Sequence, residues 1–156
     1  MNYWLMKTEP NVYSIDDLKS EGTTHWEGVR NYQARNFMMK DMKVGDRVLF
    51  YHSNTKPPGV VGLATVTKLA YPDFFAWDPE SKYFDPKSPK DKPRWFMVDV
   101  SYESQFKGTI GLDTLKANPN LEDMLVVQKG SRLSVQPVTK NQFNEVVQMG
   151  ESLNVK

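Results

Sequence analysis

The stretch Arg47-Val48-Leu49-Phe50-Tyr51-His52 is a run of apolar and aromatic residues that follows the turn residues Gly45-Asp46. A short apolar run bounded by turn chemistry predicts a buried strand. Val60 to Leu69 is rich in Val, Thr and Leu, which predicts a second strand after a proline-containing loop over residues 54–59. Trp95 to Tyr102 alternates between apolar and polar residues, and this alternation predicts a half-buried strand. Strand sequence therefore dominates the middle of the chain.

The two ends of the chain combine short strands with short helices. Tyr3–Met6 and Arg132–Val135 predict further strands, and capping residues at Ser14, Asn31 and Thr139 predict helix starts, with the second helix running to about Asp41. The helices do not alternate regularly with the strands, which disfavours a doubly wound parallel fold. We therefore expect an α+β chain, mainly β, with a mixed or antiparallel sheet curled into a small barrel and short helices packed at its ends.

Length predicts one domain that spans residues 1–156. Prolines and lysines are concentrated in residues 79–94, and strand-like sequence lies on both sides of them. This segment is expected to be an extended surface loop within the domain, since proline fixes φ and removes hydrogen-bond donors.

Composition excludes several function classes. The chain has no Cys, so disulfides, thiolate nucleophiles and Cys-type metal sites are absent, and a reducing compartment is expected: cytoplasmic, or nuclear in a eukaryote. The net charge of +1 and the lack of a long apolar run predict no membrane association, so any polyanion site must be a local patch. The two histidines do not have metal-ligand spacing, and there is no glycine-rich phosphate loop, so we expect no metal and no cofactor.

Residues 25–37, His-Trp-Glu-Gly-Val-Arg-Asn-Tyr-Gln-Ala-Arg-Asn-Phe, place aromatic rings beside arginines and amides. A flat ring with amide donors and acceptors nearby can stack a planar base and read its edge. The alternative is that Trp26 is a core anchor and the polar residues are helix caps and solvated faces. This stretch alone leaves both interpretations open.

Other stretches add residues to the candidate site. The predicted base-binding pocket contains Trp26, Asn31, Tyr32, His52, Ser53, Trp95 and Ser134. The predicted phosphate contacts are Arg30, Arg35 and Arg94, and the predicted pocket rim contains Asn54, Tyr71, Asp73 and Trp77. Aromatic rings with few charges suit a near-neutral planar ligand that carries a flanking phosphate.

Two alternative functions stay open at this point. His52 and Asp73 could serve as acid and base of an enzyme acting on a nucleotide or RNA, although no nucleophile motif accompanies them. The proline-rich segment 79–94 could instead present an extended ligand to a protein partner.

The chain resembles the EVE domain family through several long motifs. They are Tyr3-Trp4-Leu5-Met6-Lys7-Thr8-Glu9-Pro10, Trp26-Glu27-Gly28-Val29-Arg30-Asn31-Tyr32-Gln33-Ala34-Arg35-Asn36, Phe50-Tyr51-His52-Ser53-Asn54, Ala70-Tyr71-Pro72-Asp73, Pro93-Arg94-Trp95 and Arg132-Leu133-Ser134-Val135-Gln136-Pro137-Val138. The resemblance implies a PUA-like fold related to YTH and ASCH domains.

The resemblance also implies a non-catalytic reader of modified bases, with modified cytosine in DNA as the favoured ligand and RNA as an open alternative. In this hypothesis the base leaves its stack and enters the aromatic pocket, with micromolar affinity. A protein partner that couples recognition to an outcome is left open.

Overall fold

The computed structural model describes residues 1–130 and 132–153. Residues 154–156, which the predicted domain includes, lie outside the described residues, as does Ser131.

The fold is built on a six-stranded mixed sheet with the strand order β2-β5-β4-β3-β1-β6. The strands are β1 (Tyr3–Thr8), β2 (Thr23–His25), β3 (Arg47–His52), β4 (Gly59–Pro72), β5 (Phe96–Gly111) and β6 (Val135–Val138). Strands β1 and β3 pair in parallel, and the other neighbours pair antiparallel. The expected α+β class with a mixed sheet is therefore confirmed.

The sheet curls but does not close into a barrel. Strands β2 and β6 are its two edges within the described residues. The long β4–β5 pair contains several register shifts, and such irregularities increase local twist. Glycines allow close approach here, since a Cβ at Gly59 would lie 2.1 Å from the carbonyl oxygen of Ile110. The predicted curled sheet is confirmed, and an open seam lies between its edge strands β2 and β6.

Short helices pack around the sheet. They are α1 (Ile15–Glu21), α2 (Tyr32–Asn36), α3 (Leu112–Ala117) and α4 (Lys140–Ser152), with a π-helical turn at Phe37–Asp41 and 3-10 turns at Phe74–Trp77, Pro119–Leu121 and Leu125–Val127. The predicted caps are confirmed: Ser14 and Thr139 each form a capping box, and Asn31 caps α2.

Two predicted elements differ from the structure. The helix from Asn31 to about Asp41 is α-helical only to Asn36 and continues as the π-helical turn. The strand predicted at Arg132–Val135 begins at Val135 and runs to Val138. Its bounds are set by pairing with β1 and not by the local composition of the sequence.

Two apolar clusters lie against the sheet. One contains Trp4, Met6, Trp26 and Phe50, and the other contains Leu49 and Phe143. The residues between β4 and β5 form a long excursion that leaves at Pro72 and returns at Phe96, which pair with each other. This excursion, residues 73–95, is folded by local turns rather than extended, and Ser88 within it is buried.

Candidate functional site

A cleft of about 450 Å³ lies where β1 and β3 end and β6 begins. Because β1 and β3 are parallel, the residues that follow both strands meet at this edge of the sheet. The curl brings the edge strand β2 to the same place, so the cleft lies at the seam. Its lining consists of Lys7, Thr8, Glu9, Val12, Tyr13, Thr24, His25, Trp26, Glu27, Gly28, Val29, Ser53, Tyr83, Arg132 and Ser134.

Trp26 belongs both to the core and to the cleft. Its side chain is 7% exposed, and its ring packs edge-on against Phe50 with the ring centroids 5.4 Å apart. Its backbone N–H donates to the carbonyl of Val98, which continues the β2–β5 pairing by one residue. The two interpretations of Trp26 are therefore compatible: it anchors the core and contributes a small part of its ring to the cleft.

The cleft also contains Ser53 and Ser134 from the predicted pocket. The N–H of Ser53 donates to Thr8 over 2.9 Å, and the N–H of Lys7 donates to the carbonyl of Ser134 over 2.8 Å. These backbone bonds hold both serines beside the end of β1, at the cleft wall.

Four predicted pocket residues lie outside this lining. Asn31 accepts a hydrogen bond from the N–H of Ala34 and caps α2. Tyr32 stacks on Trp95 with the centroids 4.9 Å apart, and Trp95 donates its indole N–H to Asp85. His52 accepts the N–H of Ile15 at the start of α1 through Nε2. Each of these side chains has a structural partner away from the cleft.

The predicted phosphate contacts are engaged by the protein itself. Arg30 forms an ion pair with Asp73 at 2.9 Å and donates to the carbonyl of Tyr83. Arg35 donates to the carbonyl of Arg94, and the Arg94 guanidinium lies 3.7 Å from Asp85. The cations that line the cleft are instead Lys7 and Arg132.

The four predicted rim residues do not line the cleft. Asn54 donates to Glu9, which does line the cleft. Tyr71 donates to Asp99. The indole N–H of Trp77 is buried and has no hydrogen-bond partner within residues 1–130 and 132–153.

Asp73 is the rim residue with the clearest structural role. It is 1% exposed, and it accepts hydrogen bonds from the N–H of Gly28, from Arg30 and from the N–H of Phe75. Its carboxylate therefore fixes the backbone of the segment that carries Trp26. His52 and Asp73, the acid and base of the enzyme alternative, each accept a structural hydrogen bond, and neither lines the cleft.

Tyr83 is the main cleft residue that sequence reasoning missed. It comes from the excursion, and its ring contacts Gly28, which has a φ of +86°. Arg30 adds a contact to the Tyr83 ring at 5.5 Å. The proline-rich loop thus supplies one wall of the cleft.

Glu27, Lys7, Glu9 and Tyr13 were also missed, although polar residues directly after a predicted strand were an available signal for Lys7 and Glu9. Burial raises the pKa of Glu27, with the nearby His25 opposing the shift. Burial lowers the pKa of Lys7. Burial and the hydrogen bond to Glu21 raise the pKa of Tyr13 to about 12, so this phenol keeps its proton.

Two classes of site are not found in the described residues. No group of three or more His, Asp or Glu side chains there could hold a metal ion. No helix among residues 1–130 and 132–153 has the length and apolarity that a membrane crossing requires.

Comparisons with known proteins identify the family. A model described as the EVE domain matches residues 2–149. Mouse thymocyte nuclear protein 1 is 41% identical over 170 residues, which cover 97% of this chain and 74% of the relative. A hypothetical protein from Leishmania major has a structure with a TM-score of 0.95 and 49% identity, covering 99% of this chain and 97% of that one.

A further solved structure is human THYN1 in a complex with DNA that contains 5-methylcytosine. It has a TM-score of 0.89 and 41% identity, covering 97% of this chain and 98% of that one. A match over nearly the whole chain in both sequence and fold leads to one conclusion: the chain belongs to the EVE domain family.

Proposed function

We propose that this chain is a non-catalytic module that binds nucleic acid and reads a modified base, 5-methylcytosine in DNA, in the cleft at the seam. The observation that carries the proposal is the cleft itself, about 450 Å³ in volume and lined by Tyr13, Trp26 and Tyr83 beside hydroxyl and charged groups. Ligand sites commonly measure about 300–1,000 Å³ and combine apolar walls with a few polar groups. The structure of human THYN1 with 5-methylcytosine DNA supports the choice of ligand.

The base is proposed to leave its stack and to contact the aromatic walls. Trp26 offers only the small part of its ring that reaches the cleft, so Tyr83 supplies much of the aromatic contact. Extraction of a base costs a few kcal/mol, while aromatic stacking contributes about 1–3 kcal/mol per base. The two nearly offset each other, which supports binding that is roughly micromolar rather than nanomolar.

Phosphate contact is proposed for Lys7 and Arg132, the cations of the cleft lining. A phosphate beside a half-buried ammonium such as Lys7 would recover the solvation that burial removes. We further propose an intracellular site of action, nuclear in a eukaryote, in keeping with the name of the mouse relative. RNA binding and a partner protein stay predictions.

The test is fluorescence anisotropy with labelled duplexes of one sequence that carry either cytosine or 5-methylcytosine. The wild-type protein is expected to prefer the methylated duplex. Ser53→Leu fills the cleft without removing a core ring and is expected to weaken binding by about tenfold or more, or about 1.4 kcal/mol. Ser104→Leu on β5 is the matched control, because Ser104 is also half-buried but does not line the cleft. Equal binding of the two duplexes, or unchanged binding by Ser53→Leu, would contradict the proposal.

A further inference from the structure

Glu27 carries a carboxyl group in the cleft, and the proposed contacts to the base and the phosphate do not involve it. It lies directly after Trp26 and before Gly28, and all three residues line the cleft. The backbone here is held on both sides, since the Trp26 N–H donates to Val98 and the Gly28 N–H donates to Asp73. The position of Glu27 is therefore fixed by the scaffold before any ligand arrives.

The carboxyl group of Glu27 has unused hydrogen-bonding capacity. Its Oε2 atom is buried and faces the Nε2 atom of His25 at a distance of 2.7 Å. The side chain as a whole is 32% exposed and lines the cleft, and its Oε1 atom accepts no hydrogen bond from the described residues. An ionised carboxylate can accept through both oxygens, so Oε1 is available to a donor group of a ligand in the cleft.

The second carboxyl group of the cleft differs in this respect. Glu9 already accepts a hydrogen bond from the side-chain amide of Asn54 at 2.7 Å. Each of the two acidic side chains of the lining thus has one oxygen engaged by the protein, and Glu27 differs from Glu9 in its position directly beside the aromatic wall of Trp26.

We propose that Glu27 accepts a hydrogen bond from the exocyclic amine of the bound base and thereby makes the cleft select 5-methylcytosine over thymine. The inference rests on the proposed function. The two bases share the ring and the 5-methyl group, but cytosine carries an amine donor at C4 where thymine carries a carbonyl acceptor. With thymine in the cleft, the carboxylate would face another acceptor. The methyl group sets the preference for a modified base, and Glu27 sets the preference for cytosine.

The experiment compares four duplexes in which cytosine, 5-methylcytosine, thymine or uracil stands opposite the same abasic site, so that unpairing costs are similar. Wild-type protein is expected to bind 5-methylcytosine at least about fivefold more tightly than thymine, the low end of what a good base contact provides. Glu27→Gln is isosteric, and its amide can turn to present either an acceptor or a donor. The variant is therefore expected to bind the two bases within about twofold of each other while preferring 5-methylcytosine over cytosine as before.

Glu103→Gln removes a surface carboxylate outside the cleft lining; it is the matched control and is expected to keep the wild-type preference for 5-methylcytosine over thymine. If Glu27→Gln keeps that preference too, the role of Glu27 is overturned while the reader function stands. If wild-type protein does not distinguish 5-methylcytosine from cytosine, the proposed function fails first, and the role of Glu27 fails with it.

Discussion

The ring of Tyr83 occupies the space where a side chain at Gly28 would begin. A Cβ atom at position 28 would lie 2.4 Å from Cζ of Tyr83. Gly28 also has a φ of +86°, which L side chains rarely adopt. The contact joins the loop between β4 and β5 to the segment that carries Trp26 and Glu27, and so it determines how two walls of the cleft meet.

Gly28→Ala is expected to displace Tyr83 and to weaken both folding and binding. Gly22→Ala is the matched control, because Gly22 has a φ of +83° but open space where the Cβ would be. The control should lose only the left-handed backbone preference, about 1–2 kcal/mol. Gly28→Ala should lose about 1–3 kcal/mol more from overpacking, together with affinity for methylated DNA. Urea unfolding and anisotropy measure the two effects, and equal losses for both variants would contradict this account.

Asp73→Asn is expected to destabilise the fold strongly. The Asp73 side chain is fully buried and paired with Arg30, whose side chain is 23% exposed, and loss of one partner of a buried pair costs about 3–5 kcal/mol. Glu103→Gln is the comparison, since Glu103 pairs with Arg47 at the surface and such pairs contribute about 0–1 kcal/mol. Chemical denaturation gives both values. A small effect at Asp73 would show that the Arg30 pair does not hold the segment around Gly28.

His52 should make stability depend on pH. Burial lowers the pKa of His52, and the nearby Asp16 opposes the shift. The ring accepts the N–H of Ile15 through Nε2. A histidine whose pKa is lower in the folded state stabilises the fold fully above its unfolded-state pKa of about 6.5. This stabilisation is lost as the pH falls through the folded-state pKa. Between about pH 7 and pH 5 the wild type should therefore lose more stability than His52→Gln, whose amide oxygen can accept the same N–H. Parallel curves for the two proteins would contradict the prediction.

Glu27→Gln is expected to be more stable than the wild type at neutral pH. Burial raises the pKa of Glu27, and His25 only partly opposes it. A glutamate whose pKa is higher in the folded state stabilises the fold fully below its unfolded-state pKa of about 4.3. This stabilisation is lost as the pH rises through the folded-state pKa. The gain of the variant should consequently shrink as the pH is lowered toward 4. Urea midpoints at several pH values test this, and a variant less stable than wild type at every pH would contradict it.

Arg132→Gln is expected to weaken binding equally for methylated and unmethylated DNA. Loss of one phosphate contact should reduce the slope of log affinity against log salt by about 0.7–0.9. Lys140→Gln, at the start of α4 and outside the cleft lining, should leave the slope unchanged. Arg94→Gln provides a third comparison, because Arg94 already faces Asp85. If Arg94→Gln changes the slope and Arg132→Gln does not, the DNA phosphates contact the excursion, residues 73–95, and not the cations of the cleft lining.

Local signals in the sequence predicted local structure well. The capping residues Ser14, Asn31 and Thr139 begin helices as expected, since each cap bonds to an amide three residues away. β6 begins later than predicted, because its bounds depend on a partner strand far away in the chain.

The site was predicted less completely than the fold. Trp26, Ser53 and Ser134 line one cleft, but the composition around them could not distinguish a cleft wall from a cap or an internal ion pair. Asn31 and Arg30 satisfy backbone and carboxylate partners, and such partners are invisible without tertiary structure. Tyr83 was missed for the same reason, since its contact with Gly28 joins residues 55 positions apart in the chain.

The unpaired seam between β2 and β6 has a consequence for how the domain can respond to a ligand. Thr24 and His25 approach the cleft from one margin, and Ser134 lies next to the start of the other margin. Ladder bonds across this gap would fill the space with backbone and leave no room for a heterocycle. The fold thus keeps the two edge strands apart and forgoes the backbone hydrogen bonds that would join them. A ligand that contacts both strands would link the two edges of the sheet.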